Sequence, residues 1–264
     1  MSEIWMFDGP RDKIPKRAIY EMIKANDCHK WQVGFEEGSD GYRHYQGRLV
    51  SSNDNYFEWC KAHIPALHVE KAEKWSNYER KSGRFIASDD FIETWKTRFG
   101  TPNQKQREVI NWMKQQGVRE IDFWYDPNGF SGKSWIINHL WELGGCHYIR
   151  PKKNADRIVA DLCSKMEQDR RPYVMIDIPR AGKVTDDLVE ALESIKDGLI
   201  DDDRYTGTTI NVRGVKILVM TNNKIANLSK LSKDRVFVNG KRWCDGKTRK
   251  QLRKSSSFLQ RIQC

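Results

Sequence analysis

The sequence has no apolar run long enough to cross a bilayer. The longest, Val215 to Met220, is interrupted by Lys216 and is far shorter than the roughly 20 residues that a membrane-spanning helix needs. No apolar segment follows the acidic start Met1-Ser2-Glu3. We therefore expect neither a membrane protein nor a secretory leader.

The cysteines offer neither a disulfide framework nor a zinc site. The six cysteines of the 264-residue chain form no Cys-x-x-Cys pair, and Cys28-His29 and Cys146-His147 have no partners at zinc-finger spacing. Reduced thiols in an intracellular protein are the simplest interpretation. The sequence also has no repeat of solenoid length, which excludes repeat architectures.

Basic charge is concentrated at one end of the chain. The net charge is +10, with 46 Lys and Arg residues against 36 Asp and Glu residues. Residues 239–264 contain eight of these basic residues and a single acidic one, so the rest of the chain is close to neutral. This segment is either a solvated tail or a basic segment that binds phosphates or directs nuclear import.

The first hundred residues mix short strands and helices. Helices are predicted over Lys16 to Ala25, Tyr56 to His63 and Ala72 to Lys81. Gly38-Ser39-Asp40-Gly41 supplies a turn between two predicted strands, Trp31 to Glu37 and His44 to Val50. This pattern predicts an α+β domain with an antiparallel sheet over residues 1–99.

The second part of the chain has a different pattern. Gly100-Thr101-Pro102 marks a boundary, and residues 100–118 form a linker with a helix predicted over Gln104 to Gln116. The runs Tyr173 to Ile176 and Val215 to Met220 are almost continuously apolar, which is typical of buried parallel strands. Residues 119–238 therefore read as an α/β domain.

A glycine-rich segment in the second part favours phosphate binding. Residues 126–134, Asp-Pro-Asn-Gly-Phe-Ser-Gly-Lys-Ser, lie between a predicted strand and a predicted helix. Gly129 and Gly132 let backbone N–H groups face phosphate oxygens, Lys133 can reach the β- and γ-phosphates, and Ser134 can hold Mg²⁺. The alternative is a glycine-rich turn that happens to end in Gly-Lys-Ser.

Two later strands end in residues that fit the same chemistry. Asp177 follows an apolar strand and can hold the water shell of Mg²⁺, and Asn222 follows another and can orient a water molecule. The strict phosphate-loop pattern has glycine at the position of Pro127. Each feature is weak alone, but their order along the chain supports nucleotide binding.

A possible metal site lies in the first domain. His44 and Gln46 point to the same face of a predicted strand, and Glu37 ends the preceding strand across a short turn. An imidazole, an amide oxygen and a carboxylate suit Mg²⁺ or Mn²⁺ better than zinc. Taken singly, each residue could equally be an ordinary strand or turn residue.

A tyrosine and a lysine follow on the helix predicted over Ala72 to Lys81. Tyr78 and Lys81 are three residues apart and would share one helical face with Lys74. Nearby cations and a metal-polarised phosphate would allow the phenolic oxygen to act as a nucleophile. The alternative is a solvent-exposed helix with ordinary charges.

Together, these motifs resemble the replication initiator (Rep) proteins of eukaryotic circular single-stranded DNA viruses, in particular those of smacoviruses and circovirus-like viruses. His44-Tyr45-Gln46 is similar to the His-hydrophobic-Gln motif of that family, and Tyr78 to Lys81 to its Tyr-x-x-Lys motif. Gly129 to Ser134 resembles the Walker A motif, and Asp177 and Asn222 resemble the Walker B and sensor residues.

The resemblance implies further roles. Glu37 matches the upstream metal ligand of the family, with Glu36 as the alternative that strand parity does not decide. Arg235 matches a candidate arginine finger that acts on the nucleotide of a neighbouring subunit, and Arg204 to Lys216 resembles a DNA-gripping hairpin region.

The resemblance implies an HUH endonuclease domain (1–99), an oligomerisation helix within 100–118, a P-loop superfamily 3 helicase domain (119–238) and a basic tail (239–264). The implied function is rolling-circle initiation: Tyr78 nicks and rejoins single-stranded origin DNA through a 5′-phosphotyrosyl link, with Mg²⁺ or Mn²⁺ at one site and ATP with Mg²⁺ at the other.

The implied partners are an origin stem-loop, host replication machinery in the nucleus, and further copies of the chain in a ring, expected to be a hexamer. Three alternatives remain at this stage. One is a catalytically silent DNA-binding regulator, the second a plasmid initiator or mobilisation protein, and the third a helicase without nicking activity.

Overall fold

The computed structural model describes residues 2–38, 41–81, 83–202, 207–225 and 228–243, and it divides into two compact units. Unit 1 comprises Met1–Gly100 with Glu142–Gly144, and unit 2 comprises Thr101–Trp141 with Gly145–Cys264. Most of the predicted basic tail, residues 244–264, lies outside the described residues. No helix in the described part of the chain has both the length and the apolar character needed to cross a bilayer.

Unit 1 is an antiparallel sheet with helices. Its elements are β1 (Glu3–Pro10), α1 (Lys16–Ala25), β2 (Cys28–Glu37), β3 (Arg43–Ser51), α2 (Tyr56–His63), β4 (His68–Lys71), β5 (Phe85–Ala87) and α3 (Ile92–Arg98). The strands lie in the order β4-β1-β3-β2-β5, and every neighbouring pair is antiparallel.

The two faces of this sheet differ in chemistry. Alternate residues of the strands, among them Phe7, Val33 and Leu49, are buried together with Met22 of α1 and Tyr56 of α2. Because side chains alternate along a strand, the intervening residues reach the other face, and these are largely polar. The polar face carries the candidate site described below.

The helix predicted over Ala72 to Lys81 is wrong. The structure has only a 3₁₀ turn at Tyr78–Arg80. The preceding backbone is held by the sheet instead, since Gln32 Nε2 donates to Ser76 O over 2.7 Å and Arg48 Nη1 donates to Lys74 O over 2.7 Å. These long-range hydrogen bonds replace the helical ladder, so Lys74 does not share a helical face with Tyr78.

Unit 2 is built on a mainly parallel sheet. Its elements are α4 (Gln104–Gln115), β6 (Ile121–Tyr125), α5 (Lys133–Glu142), β7 (Cys146–Ile149), α6 (Ala155–Gln168), β8 (Tyr173–Ile178), α7 (Asp186–Asp197), β9 (Leu199–Asp202), β10 (Thr208–Asn211), β11 (Lys216–Thr221), β12 (Val236–Val238) and β13 (Lys241–Arg242). The six-stranded sheet has the order β13-β12-β6-β11-β8-β7, with only the short β12–β13 pair antiparallel.

Helices cover both faces of this parallel sheet. Val109 and Met113 of α4 pack with Trp124 on one face, and α6 and α7 pack on the other. The predicted helix in residues 100–118 is therefore part of the core of unit 2, and its role in oligomerisation stays a prediction. The strands β9 and β10 form a separate hairpin that overlaps the predicted Arg204 to Lys216 region, of which residues 204–206 lie outside the described residues.

The expected succession of sheets is confirmed: an antiparallel sheet comes first and a parallel sheet follows. Both arise from sequence patterns that can be seen locally. Alternating apolar and polar residues make a sheet with one buried face, whereas continuous apolar strands are buried on both faces.

Candidate active sites in the two units

The register of β2 and β3 brings two predicted donors, His44 and Gln46, and the alternative carboxylate Glu36 to the polar face of unit 1. Glu36 lies opposite His44, and Gln46 lies opposite Gly34, two pairs further along the strands and therefore on the same face. The Glu36 Oε2 and His44 Nε2 atoms are 3.9 Å apart. A carboxylate, an imidazole and an amide therefore face the same side of the sheet.

Glu37 does not join this group. Its carboxylate accepts a hydrogen bond from Arg43 Nε over 2.9 Å, and both side chains are exposed. Adjacent strand residues point to opposite faces, so Glu37 and Arg43 lie on the side away from His44. Of the two carboxylates considered from the sequence, the structure places Glu36 beside the imidazole.

The ammonium group of Lys81 connects the donors to the tyrosine. Lys81 Nζ lies 3.0 Å from Glu36 Oε2 and 3.2 Å from Gln46 Oε1. It also lies 3.6 Å from the centre of the Tyr78 ring. Burial alone would lower the pKa of Lys81, but the contacts with Tyr78 and Glu36 outweigh burial and raise it.

Tyr78 is accessible rather than buried. Its exposed fraction is 54%. Together with Gln46, Met6 and Asp8 it lines a cleft of about 230 Å³ on the polar face. A phosphate group of a polymer could therefore reach the phenolic oxygen without unfolding of the unit.

A buried acid fixes the turn that carries Tyr78 and Lys81. Glu79, only 2% exposed, accepts hydrogen bonds from Arg48 Nε at 3.0 Å and from Gln32 Nε2 at 2.5 Å. Gln32 is on β2 and Arg48 on β3, opposite one another. The residue next to the tyrosine is thus anchored to both strands that carry the metal-type donors.

Arg80 extends this anchor. Its Nε atom donates to Gln32 Oε1 over 2.8 Å, and its Nη2 atom contacts both oxygens of Asp89 at 2.7 and 3.0 Å. Sequence reasoning missed this role for both residues between Tyr78 and Lys81. A charged pair in a supposed helix gives no signal of burial, because Gln32 and Arg48, which hold it against the sheet, are more than 30 residues away in sequence.

The donor set fits a divalent cation. The Glu36 Oε1 and His44 Nδ1 atoms are buried without a hydrogen-bond partner, although buried polar atoms usually have one. The Lys81 ammonium shows that Glu36 and Gln46 already converge on a positive charge. Among the residues that the structure describes, no group of three or more His, Cys, Asp and Glu side chains is arranged for a metal, and the present set consists of two such side chains and an amide.

The glycine-rich loop of unit 2 lies between β6 and α5, as the sequence predicts. Gly129 and Gly132 have positive φ angles of 78° and 83°, and Phe130 between them has 62°. Such left-handed conformations turn successive N–H groups to one side. Lys133 is the first residue of α5 and is buried, while Ser134 is exposed.

The carboxylate of Asp126 accepts hydrogen bonds from three donors of this loop and the start of α5. Lys133 Nζ is 3.0 Å from Asp126 Oδ2, Ser131 Oγ donates to the same oxygen over 2.6 Å, and Gly129 N donates to Oδ1 over 3.1 Å. Burial alone would raise the pKa of Asp126, but the hydrogen bonds from Ser131 and Lys133 outweigh it and hold this pKa below its usual value. Sequence reasoning did not single out this contact, although Asp126 opens the quoted motif.

The predicted strand-end residues lie next to the loop. Asp177 is within β8 opposite Met220 of the neighbouring β11, and Asn222 follows β11 directly. Asn222 Nδ2 donates to the backbone oxygen of Asp126 over 2.6 Å. Burial raises the pKa of Asp177, while Lys133 acts in the opposite direction.

The placement of Arg235 does not favour the predicted arginine finger. Its side chain is buried, with 6% of the residue exposed, and its Nη2 atom contacts Asp197 Oδ1 within the same unit at 2.7 Å. A finger has to project from the surface to reach the nucleotide of another subunit. In this structure Arg235 contacts its own unit, and its role as an arginine finger stays a prediction.

Comparisons with known proteins point to replication proteins. Over 133 residues, half of the chain, it is 29% identical to the master replication protein of Banana bunchy top virus, and the match spans 42% of that protein. Over 135 residues it is 26% identical to Para-Rep C10 of the Milk vetch dwarf C10 alphasatellite, and the match spans 46% of that protein. The matched part of the chain thus spans less than half the length of either curated relative.

These two relatives confirm the resemblance to Rep proteins of circular single-stranded DNA viruses, at modest identity and over half the chain. No protein-family model matches the chain. A solved structure of a formyltetrahydrofolate deformylase from Pseudomonas putida KT2440 aligns with 67% of this chain and 42% of that chain, at 7% identity and a TM-score of 0.19, which is too low to indicate a shared fold.

Proposed function

We propose that this chain is a viral replication initiator that nicks and rejoins single-stranded origin DNA in unit 1 and hydrolyses ATP to drive a helicase in unit 2. The observation that carries the proposal is the convergence of Glu36, Gln46 and an accessible Tyr78 around the Lys81 ammonium. The replication proteins to which the chain is similar support the same process.

Glu36, His44 and Gln46 would hold Mg²⁺ or Mn²⁺, and a bound ion of this kind supplies polarisation of the scissile phosphate. Tyr78 attacks the phosphorus, so that one bond from its phenolic oxygen forms and the bond to the 3′ oxygen breaks. The phenolic proton passes to solvent, which reaches the exposed Tyr78, and the 3′ oxygen of the leaving strand gains a proton. Lys81 either donates that proton or stabilises the charge of the transition state.

The resulting 5′-phosphotyrosyl link stores the energy of the broken phosphodiester, so the reverse transfer can rejoin the ends after copying. Glu79 and Arg48 act as positioning residues in this scheme, because they hold the turn that carries the nucleophile. The free 3′-OH would prime synthesis by a host polymerase.

Unit 2 would bind ATP with Mg²⁺. The loop donors that now contact Asp126 are those a phosphate-binding loop presents to a phosphate, so nucleotide would displace that carboxylate from Lys133. The residues involved would be Gly129, Gly132, Lys133, Ser134, Asp177 and Asn222. A ring of subunits, a nuclear location and a role of Arg235 as an arginine finger remain predictions.

A covalent adduct assay tests the nicking proposal. The full chain is incubated with Mn²⁺ and a pool of single-stranded stem-loop oligonucleotides with randomised loops, and denaturation-resistant complexes are counted. Adducts are expected with the natural chain and with the control Tyr173→Phe, which changes a partly buried tyrosine of unit 2, but not with Tyr78→Phe.

An adduct that survives Tyr78→Phe would mean that the nucleophile is a different residue. A folded chain that binds the pool but never forms an adduct would favour the silent DNA-binding regulator instead.

A further inference from the structure

Unit 1 has a long groove on the face of its sheet that points away from Glu36 and His44. One part is a cavity of about 380 Å³ between α1 and β2, lined by Lys16, Tyr20, Trp31 and Phe35 among others. A second cavity of about 590 Å³ adjoins it toward α3 and shares Lys16 and Phe35 with it. We call the two together the far-face groove.

Two simple sequence spacings build this groove. Lys16, Tyr20 and Lys24 follow one another at intervals of four on α1, so they lie along one side of the helix. Trp31 and Phe35 lie four residues apart on β2, which places both on the same face of the strand. A row of cations and rings on the helix thus faces a row of rings on the strand.

Cations and aromatic rings alternate in contact along the groove. Lys16 Nζ lies 5.7 Å from the centre of the Phe35 ring, and Arg11 Cζ lies at the same distance from that ring. Lys24 Nζ lies 5.3 Å from the centre of the Tyr20 ring. Tyr20 is 57% exposed, and Phe99 at the other end is also largely exposed.

The charge of the groove is mainly positive. Its lining includes Arg11, Lys16, Lys24, Arg43 and Arg84. Its two carboxylates are those of Asp27 and Glu37, and Glu37 is already paired with Arg43. Phosphates are therefore favoured over cationic ligands.

The groove and the candidate nicking site lie on opposite faces of the sheet and approach each other at one end of β2 and β3. Glu36 and His44 face that site, and the very next pair in the register, Glu37 and Arg43, lies at the far-face groove. The His44 ring also stacks on the exposed ring of Tyr42, with centres 5.3 Å apart. The candidate site and the groove are therefore one residue pair apart at this end of the strands, so a polymer that passes the strand end can contact both.

We infer that the far-face groove binds single-stranded DNA that flanks the scissile phosphate. A basic groove lined with accessible aromatic rings is the composition that holds unpaired strands, because bases stack on the rings while phosphates meet the cations. A duplex keeps its base faces stacked inside and could not use rings within cavities. The choice of single-stranded DNA as the ligand rests on the proposed nicking function. Binding of the strand can nevertheless be measured without nicking.

Photo-crosslinking and affinity measurements on the full chain test this inference. The probe is a 16-nucleotide oligo-dT with iodouracil substitutions, in EDTA, so that no nicking occurs. Crosslinks are expected on peptides that contain Tyr20 or Phe35. The variant Lys16→Gln/Tyr20→Ala/Lys24→Gln should weaken binding about tenfold. It should also flatten the slope of log affinity against log salt by about 1.4, the value for two lost phosphate contacts.

The control is a matched cation–ring pair on α2, Lys61→Gln/Phe57→Ala, in which Lys61 Nζ lies 5.3 Å from the Phe57 ring centre. This variant should leave crosslinks, affinity and slope unchanged. Crosslinks confined to other peptides, an unchanged slope in the groove variant, or an equal loss in the control would overturn the inference. Displacement of the oligonucleotide by poly-glutamate, added at an equal concentration of negative charges, would also overturn it. That result would show that the groove binds acidic peptides.

The two proposals can fail separately. Loss of adducts with intact groove crosslinks would refute the nicking chemistry alone, and intact adducts without groove crosslinks would refute the groove alone.

Discussion

Replacing Glu79 with glutamine should uncouple tyrosine positioning from DNA binding. The substitution keeps the size of the side chain but removes the charge that pairs with Arg48, and it sets an amide group against the Gln32 amide that now donates to Glu79. Hydrogen bonds to charged groups contribute about 1.5–3 kcal/mol. Since Glu79 is almost fully buried, we expect a loss of about 2–3 kcal/mol in the stability of unit 1.

The larger effect should be on the reaction rate. Misplacement of a reacting group by about 1 Å can slow a reaction by roughly 100-fold, and Glu79 is the direct neighbour of Tyr78 in the anchored turn. The first-order rate of adduct formation, measured at saturating oligonucleotide and Mn²⁺, should therefore fall by about that factor. Oligonucleotide affinity should change little, because Glu79 is not accessible to DNA.

Hydrogen exchange of the β2 and β3 amides measures the loss of stability in unit 1. A quenched time course measures the first-order rate of adduct formation. Glu21→Gln is the matched control, because Glu21 forms an exposed pair with Arg17 on α1, and such pairs contribute about 0–1 kcal/mol. If Glu79→Gln loses stability but keeps its rate, the anchor is structural only and the positioning role is refuted.

Three further predictions concern unit 2. Asp126→Asn should bind Mg²⁺-ATP about tenfold more tightly by calorimetry, because the competing carboxylate is neutralised; unchanged affinity would show that nucleotide does not displace Asp126. Burial lowers the pKa of Lys196 to about 8. Between about pH 8 and 10.5 the unfolded chain therefore binds more protons at this residue than the folded chain does. The free energy of unfolding should rise with pH in this range, by up to about 3 kcal/mol. Lys196→Met should remove this rise in urea titrations across that range, and a rise that persists would assign it to another group. Thr185 Oγ1 caps α7 by accepting a hydrogen bond from Leu188 N over 3.2 Å. Thr185→Ala removes this cap and should lower the urea midpoint by the equivalent of about 1 kcal/mol. No change would mean that water replaces the cap.

Local patterns were enough to predict the regular elements. The bounds predicted for the helices at Lys16–Ala25 and Tyr56–His63 are those of α1 and α2, and both are confirmed. These helices have their own apolar spacing and their own stop signals, so no distant residue is needed to define them. The glycine-rich loop was predictable for the same reason.

The errors arose where distant residues decide the structure. The segment before Tyr78 reads as a helix, but hydrogen bonds from Gln32 and Arg48 hold its backbone against the sheet. The choice between Glu36 and Glu37 depends on the register of the β2–β3 pair, which sequence parity alone leaves open. The contact of Arg235 with Asp197, 38 residues earlier in the chain, was likewise not visible in the sequence, and the role of Arg235 as an arginine finger stays a prediction.

The most direct test of the account is to locate the DNA on the protein. Adducts formed with Mn²⁺ are digested with nuclease and protease, and the peptide that retains a nucleotide is sequenced by mass spectrometry. We expect a 5′-phosphate ester on the oxygen of Tyr78, with yields that fall in Glu36→Gln and persist in Glu37→Gln. A nucleotide on any other residue, or a yield that depends on Glu37 and not on Glu36, would contradict it.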